Sequence, residues 1–294
     1  MLKAIRKNSF ILIVLIPILI HFLIFEIFPL GFSFYISLFN WSLVGNHEFV
    51  GLRNWIDLFQ DPLVGKSLLV TFKFAVYYIL PSMIIGMTLA LLINTKLKFA
   101  NFFKELYFLP VVTSIIILAS VWKWIFVGDK GGIVNFLLET LFGTKNQKFF
   151  SDENMALFIT ALLSIYKACG SLMIYFYAGL KGLPSSVFEA AKIDGANSWK
   201  ALTKITLPLL RPTILYIVII STIDVLQTFE SSFILTGGGP NYATTTIVYH
   251  IYKTAFVNMD MGYASSMAYI LFIIILIISL IQYKVLNKDV SYGG

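Results

Sequence analysis

Residues Glu189 to Pro212 read EAAKIDGANSWKALTKITLPLLRP, and this polar stretch stands between long apolar runs. Its spacing predicts a short helix, a turn and a second short helix. Ser186 and Glu189 form an S-x-x-E pattern, which predicts a capping box at the start of the first helix. Asp194-Gly195 predicts the turn, because glycine adopts a positive φ without steric cost. We therefore expect a small, rigid docking surface held at a membrane face.

The chain as a whole has the composition of a membrane protein, with 58% hydrophobic and 13% charged residues among 294. A helix needs about 20 consecutive apolar residues to cross a bilayer. Six runs meet this requirement: Phe10–Phe39, Leu68–Ile93, Leu106–Val127, Met155–Leu180, Leu209–Leu235 and Ala264–Leu286. The sequence therefore predicts an all-α polytopic membrane protein with six transmembrane helices. We expect a single transmembrane domain over residues 1–294, with a cytoplasmic loop at about 181–212.

The cationic residues of the connecting segments predict how the chain is oriented. The segments on the side of the N-terminus contain Lys3, Arg6, Lys7, Lys96, Lys98, Lys104, Lys181, Lys192, Lys200, Lys204, Arg211, Lys284 and Lys288. Those on the opposite side contain fewer, namely Arg53, Lys66, Lys130, Lys145, Lys148 and Lys253. Cytoplasmic loops carry the excess of Lys and Arg. Both termini and the polar loop are therefore predicted to be cytoplasmic.

Two charged residues fall deep within predicted spans, Lys167 in the fourth and Asp224 in the fifth. A charge at the centre of a bilayer costs roughly 2.5–3.5 kcal/mol, so it usually faces a cavity or a partner. Helical spacing places further residues beside them, giving one face with Ser164, Lys167, Ala168 and Ser171 and another with Ser221, Asp224, Val225 and Thr228. The alternative is an interhelical salt bridge or hydrogen bonding at a subunit interface.

The remaining polar and aromatic residues of the spans have simpler interpretations. Lys73 and Lys123 lie near outer ends and are expected to extend towards the headgroups. Phe229 and Tyr166 are candidates for stacking on a ligand, although plain packing is the commoner role of such rings.

The polar loop resembles the EAA loop of ATP-binding-cassette (ABC) importer permeases. The matching residues are Glu189-Ala190-Ala191, Asp194-Gly195 and Ile205-x-Leu207-Pro208. A resemblance to the maltose-type sugar-uptake branch extends from about Phe10 to Leu286. It includes Thr236-Gly237-Gly238-Gly239-Pro240, Thr244–Thr246, Ala255-Phe256 and Gly262-Tyr263-Ala264-Ser265. The resemblance implies the type I importer permease fold. For the polar loop at Glu189 to Pro212, the alternative is an amphipathic segment lying on the membrane surface.

What the resemblance implies for function is specific. Glu189, Ala190, Ala191, Asp194 and Gly195 would dock in a cleft of an ATPase subunit and transmit its closure to the membrane helices. The eight positions on the two polar faces would hold a sugar, most simply an oligosaccharide. The implied partners are a second homologous permease, two ATPase subunits and an extracellular solute-binding protein, in the cytoplasmic membrane of a bacterium.

ATP and Mg would bind the ATPase subunits, with no cofactor in this chain and no nucleic acid. Import of glycerol phosphate or another polar solute is the alternative within the class. An ATP-independent secondary transporter or channel is the alternative outside it.

The sequence contains no pattern of a catalytic site. Gly65-Lys66-Ser67 ends like a phosphate-binding loop, but Gln60 occupies the position of the required first glycine. There is no HExxH, Cys-rich metal pattern or G-x-S-x-G, and the single Cys169 excludes a disulfide framework. No internal repeat is evident, which disfavours a secondary transporter built from paired halves. We therefore predict a non-catalytic subunit whose ATP hydrolysis belongs to another polypeptide.

Overall fold

The computed structural model describes residues 9–43, 45, 47–95, 100–128, 131–144 and 147–286. Its helices are α1 (Ser9–Phe22), α2 (Phe28–Ser37), α3 (Arg53–Gln60), α4 (Pro62–Asn94), α5 (Ala100–Val112), α6 (Ile115–Ile125), α7 (Ile133–Phe142), α8 (Glu153–Lys181), α9 (Ser185–Ile193), α10 (Ser198–Ala201), α11 (Leu207–Leu209), α12 (Arg211–Leu226), α13 (Glu230–Leu235), α14 (Ile247–Tyr252) and α15 (Met261–Leu286). Three π-helical segments occur at Leu23–Ile27, Leu202–Thr206 and Lys253–Val257.

Several residues of the orientation argument lie outside the described part of the chain. They are Lys3, Arg6, Lys7, Lys96, Lys98, Lys130, Lys145 and Lys288. The orientation of the chain stays a prediction.

Four helical stretches are long and apolar enough to cross a membrane: Leu15–Ser37, Pro62–Asn94, Glu153–Lys181 and Met261–Leu286. Two further candidates are pairs of helices with a sharp bend between them. Asn101–Val112 and Ile115–Ile125 meet at 97°, and Ser198–Leu209 and Arg211–Leu226 meet at 69°. Within the described residues the chain thus has four candidate spans, or six if each bent pair counts as one.

The third and fifth predicted spans are therefore not continuous helices. The third breaks at residues 113–114, where Ser114 has an extended ψ of 132°. The fifth bends at Leu210, and α12 ends at Leu226 rather than continuing to Leu235. After this end the Thr246 hydroxyl donates to the Thr228 carbonyl oxygen at 2.8 Å. The Thr246 side chain thereby satisfies a carbonyl group that a continuous helix would have paired with a backbone amide. An unpaired carbonyl would be costly in an apolar environment, so this hydrogen bond stabilises the break.

Contacts divide the chain into two compact units, Met1–Val64 with Ile251–Ile270, and Gly65–His250 with Leu271–Gly294. The first unit contains the element that the all-α prediction missed, an antiparallel pair of strands β1 (Phe39–Trp41) and β2 (His47–Phe49). The Asn54 side-chain amide donates to the carbonyl oxygens of Ser37 and Phe39, both at 2.9 Å. This amide ties α3 to the end of α2 and to the start of β1.

The second unit is organised around α8, which is the most extensively buried of its long helices. Small residues let neighbouring helices approach α8 closely, as is usual in membrane proteins. A Cβ added at Gly170 would lie 2.3 Å from the Tyr107 carbonyl oxygen on α5. A Cβ added at Gly179 would lie 2.6 Å from the Thr213 hydroxyl on α12. Glycines therefore set how close α8 stands to the two bent elements.

Candidate functional site

A cavity of about 570 Å³, called the polar cavity below, lies in the second unit, where α4, α5, α6, α8, α12 and α13 meet. This volume is in the ~300–1,000 Å³ range of ligand pockets. Seven of the eight residues predicted on the two polar faces line it, namely Ser164, Lys167, Ala168, Ser171, Asp224, Val225 and Thr228. The structure thus brings the two predicted faces together around one space.

The eighth residue, Ser221, is not among the lining residues. It is 1% exposed, and its hydroxyl is buried without a hydrogen-bond partner. Thr228 also departs from the expectation, because it lies beyond the end of α12 rather than on the helical face with Asp224. It reaches the cavity because the chain breaks before α13 and not because of helical spacing.

The cavity holds charged side chains from three elements. Lys167 is half-buried on α8, Asp224 is exposed on α12, and Glu230 is exposed at the start of α13. Lys167 and Asp224 do not form an ion pair. The ion pair found among the described residues joins Arg53 and Asp57, whose nitrogen and oxygen atoms are 3.7 Å apart. The alternative of a salt bridge between the fourth and fifth spans is therefore not supported.

Several lining residues were missed from the sequence: Phe74, Tyr78, Val111, Ile115, Tyr175, Gln227 and Glu230. Glu230 had a usable signal, since it is an acid within a predicted span. The apolar and aromatic residues had none, because only helix packing decides which face of an apolar helix meets a cavity. Phe229 lines the cavity and stacks on Phe233, with ring centroids 5.1 Å apart.

Tyr166 does not face this cavity, contrary to its interpretation as a stacking candidate. It stacks on Trp122, with ring centroids 5.3 Å apart, and lines a separate apolar cavity. Lys73 and Lys123 are exposed, and neither lines the polar cavity.

The polar loop folds as a helix, a glycine turn and a second helical segment. Gly195 has a φ of +73°. The Gly195 amide donates to the Lys192 carbonyl at 3.2 Å, and the Ala196 amide donates to the Ala191 carbonyl at 2.9 Å. These two bonds close the end of α9 in the way that a left-handed glycine permits. The predicted turn at Asp194-Gly195 is confirmed.

The beginning of the loop differs from the prediction. The N-cap of α9 is Pro184, without a side-chain cap, so Ser186 lies inside the helix and does not form a capping box with Glu189. Pro184 has an extended backbone with ψ 128°, and this places the first helical residue at Ser185. The second segment does have a side-chain cap, because Asn197 accepts from the Lys200 amide at 2.8 Å.

The surface of the loop is largely open. Glu189, Ala190, Asp194 and Gly195 are exposed, while Ala191 is buried. Two large apolar side chains are exposed as well, Ile193 at 86% and Trp199 at 70%.

The described residues contain no group of three or more His, Cys, Asp or Glu positioned to hold a metal ion. The residues that line the cavity offer hydrogen-bonding groups, charged groups and aromatic rings.

Long apolar helices with a polar cavity between them are the features of a multi-pass α-helical membrane protein. Residues 82–292 match the family described as "Binding-protein-dependent transport system inner membrane component". The chain belongs to this family, and the predicted family is confirmed. It is accordingly a multi-pass protein of the inner membrane and an ABC transporter permease.

Three relatives show how far the similarity extends. The arabinooligosaccharides transport system permease protein AraP of Bacillus subtilis (strain 168) is 33% identical, over 91% of this chain and 85% of AraP. The probable ABC transporter permease protein YesP of the same organism is 32% identical, over 99% and 94%. The sn-glycerol-3-phosphate transport system permease protein UgpA of Escherichia coli (strain UTI89 / UPEC) is 28% identical, over 94% and 93%.

A solved structure shows the same fold. It is a bacterial alginate ABC transporter in complex with an alginate pentasaccharide-bound periplasmic protein. The match has a TM-score of 0.84 at 24% identity and covers 99% of this chain and 98% of the other.

Proposed function

We propose that this chain is one permease subunit of an ATP-driven, binding-protein-dependent importer of sugars, and of oligosaccharides in particular. The observation that carries the proposal is the cavity between α8 and α12, which a neutral polyhydroxylated ligand fits in size and chemistry. Hydroxyl, ammonium and carboxylate groups offer hydrogen bonds, while Phe229 and Tyr175 offer ring faces. The named substrate of AraP, an arabino-oligosaccharide, supports the same class.

We assign the ATPase contact to Glu189, Ala190, Ala191, Asp194 and Gly195. The exposed Ile193 and Trp199 support this assignment, because a partner would remove their apolar area from water. ATP and Mg would bind to two separate ATPase subunits, and this chain would be non-catalytic. A second permease would complete the pathway, and an external solute-binding protein would deliver the substrate.

In this proposal ATP-driven closure of the ATPase subunits moves the loop, and the cavity changes from inward-facing to outward-facing. The loop continues through residues 198–209 into α12, which carries Asp224. A displacement of the docked helix therefore has a short covalent route to the cavity.

Glycerol phosphate is the second candidate substrate. It is favoured by the relation to UgpA and by Lys167, an ammonium group suited to a phosphate. The two carboxylates of the cavity, Asp224 and Glu230, oppose it by like-charge repulsion.

The substrate is tested with the assembled transporter in proteoliposomes. ATP hydrolysis would be measured with solute-binding protein loaded with arabino-oligosaccharides, with other oligosaccharides or with glycerol phosphate. We expect stimulation by an oligosaccharide-loaded binding protein. Stimulation by glycerol phosphate alone would replace the sugar proposal, and uptake without any ATPase subunit would overturn the class.

The cytoplasmic location of the loop and of both termini is tested by labelling with an impermeant thiol reagent. A Ser198→Cys variant should react in inverted vesicles and resist the reagent in intact cells. The native Cys169 is buried and contributes little background. Glu139→Cys, at an exposed position on α7, should show the opposite pattern. Labelling of the Ser198→Cys variant from outside would overturn the orientation.

A further inference from the structure

Two lysines on different helices converge on one aromatic ring at the end of the second unit that adjoins the polar loop. Lys104 Nζ of α5 lies 5.0 Å from the centre of the Tyr177 ring, and Lys181 Nζ of α8 lies 5.3 Å from the same centre. Neither ammonium group forms an ion pair with a carboxylate within 4.0 Å among the described residues. Two ammonium groups thus share one neutral ring.

Such an arrangement favours an anion close to the two lysines. Like charges repel, and a single ring stabilises an exposed cation by only about 0.5–1 kcal/mol. Lysine acts as a point charge that binds phosphate well. Lys181 is the last residue of α8, where a cation also interacts with the carbonyl groups of the helix end.

A second observation indicates what carries this anion. A nearly apolar cavity of about 580 Å³ lies between α5 and α8, separate from the polar cavity. Its walls include Leu106, Leu109 and Pro110 of α5, and Tyr166 and Cys169 of α8. Other lining residues come from α4 and α6.

The cavity and the lysine pair lie in line along the same two helices. On α8, Tyr166 and Tyr177 are about three turns apart and therefore share a face, while Cys169 lies roughly 12 Å along the axis from Tyr177. On α5, Lys104 lies within one turn of Tyr107, which lines the cavity. A ligand that reaches both features needs an anionic head and a long apolar tail.

We propose that the lysine pair and the apolar cavity together bind an anionic phospholipid. The phosphate-bearing headgroup contacts Lys104 and Lys181, and one acyl chain enters the apolar cavity. Basic positions between transmembrane helices at the headgroup level recognise anionic lipids in this way, with roughly 1 kcal/mol for each lysine near the surface. A free phosphate ion would use the lysines but not the cavity. A bound lipid would connect α5 with the end of α8, directly before the loop assigned to the ATPase contact.

The test uses the assembled transporter in proteoliposomes containing a trace of phosphatidylglycerol with a photoreactive acyl chain. Phosphatidylcholine carrying the same chain is the neutral comparison. After illumination, labelled peptides are identified by mass spectrometry. We expect phosphatidylglycerol to label the segments around residues 106–110 and 162–169 in preference to phosphatidylcholine, by about five-fold for each contributing lysine.

Substitutions identify the groups responsible. The double variant Lys104→Gln/Lys181→Gln should lose the preference, and Lys104→Arg/Lys181→Arg should keep it. Lys284→Gln is the matched control, because Lys284 is an exposed lysine in the last turn of α15. It should leave the preference unchanged.

Each contrary result decides against the proposal. Equal labelling by the two lipids in the unaltered protein would exclude headgroup recognition. An equal loss in Lys284→Gln would mean that general surface charge, and not this pair, attracts the lipid. Suppression of labelling by excess inorganic phosphate would indicate a site for a free anion. Labelling spread evenly over the transmembrane segments would exclude the cavity as the acyl-chain site.

Discussion

The polar loop and the polar cavity are built in opposite ways. The loop is contiguous in sequence, and its conformation follows from neighbouring residues: Gly195 permits the turn and Asn197 caps the second segment. The cavity collects side chains from six helices, with Lys167 and Asp224 on separate ones. The loop is therefore a local structure with an open surface, whereas the cavity exists only while the helices pack. A substitution should damage either coupling or substrate binding, according to the region it affects.

The largest effect is expected at the loop turn. A β-branched residue at a φ of +73° is strained by about 1–3 kcal/mol, so Gly195→Val should redirect both segments of the loop. We expect uptake to be abolished while the protein stays in the membrane. Uptake and substrate-stimulated ATP hydrolysis would be measured in vesicles.

Gly143→Val is the matched control for this change. Gly143 also has a positive φ, +64°, also ends a helix and also has open space around its Cβ position. Its strain is comparable, but it is the C-cap of α7 and does not belong to the loop. If Gly143→Val abolished uptake as well, strain in general and not coupling would explain the result.

The next effect concerns the cavity. Asp224→Ala removes a charged acceptor, and hydrogen bonds to charged groups contribute about 1.5–3 kcal/mol each. Transport should therefore fall by roughly 10- to 100-fold. Basal ATP hydrolysis and assembly should survive, because the assigned docking residues lie elsewhere. Glu139→Ala, which removes an exposed acid on α7, should transport normally.

The readouts of the Asp224→Ala variant also separate the roles of this residue. Loss of assembly would make Asp224 an interface residue. An unchanged transport rate would remove it from the binding site.

A moderate effect tests the packing on which the cavity depends. A Cβ at Gly170 would lie 2.3 Å from the Tyr107 carbonyl oxygen, so Gly170→Ala must push α5 away from α8. Overpacking of this kind costs about 1–3 kcal/mol. Thermal unfolding of the purified transporter should shift to lower temperature. Gly65→Ala, where the Cβ meets nothing within 4 Å, should be neutral or stabilising. Equal destabilisation of both variants would contradict the role of Gly170.

The smallest effect compares two helix caps. Asn197 caps the second segment of the loop and Asp152 caps α8, each accepting from a backbone amide at 2.8 Å. Replacement by Ala costs about 1 kcal/mol at either position. Asn197→Ala should lower the ratio of transport to ATP hydrolysis, whereas Asp152→Ala should lower thermal stability without changing that ratio. The reverse pattern would mean that the loop is not the coupling element.

Recognition from the sequence succeeded where the signal was short and local. The turn at Gly195 was predicted correctly. Seven of the eight residues on the two predicted polar faces line one cavity, whereas Ser221 does not, and Thr228 lies beyond the end of its helix. Helix ends were harder to predict: the expected capping box at Ser186 does not form, because Pro184 is the N-cap and its extended backbone places the first helical residue at Ser185. At the break after Leu226, the hydroxyl of Thr246, a residue distant in sequence, binds the Thr228 carbonyl oxygen. No local sequence pattern predicts this break.

The sequence alone determined the class of protein, because long apolar runs are typical of membrane spans and the resemblance at Glu189-Ala190-Ala191 and Asp194-Gly195 needs only a few residues at fixed spacing. It also identified Lys167 and Asp224 as residues that should face a cavity or a partner, since a charge in an apolar segment is costly. Only the tertiary structure decided that these two residues share a cavity without pairing, and that Tyr166 belongs to a different cavity. The reason is physical: the face that an apolar helix presents to its neighbours depends on close packing at residues such as Gly170, and that packing is a property of the assembled helices.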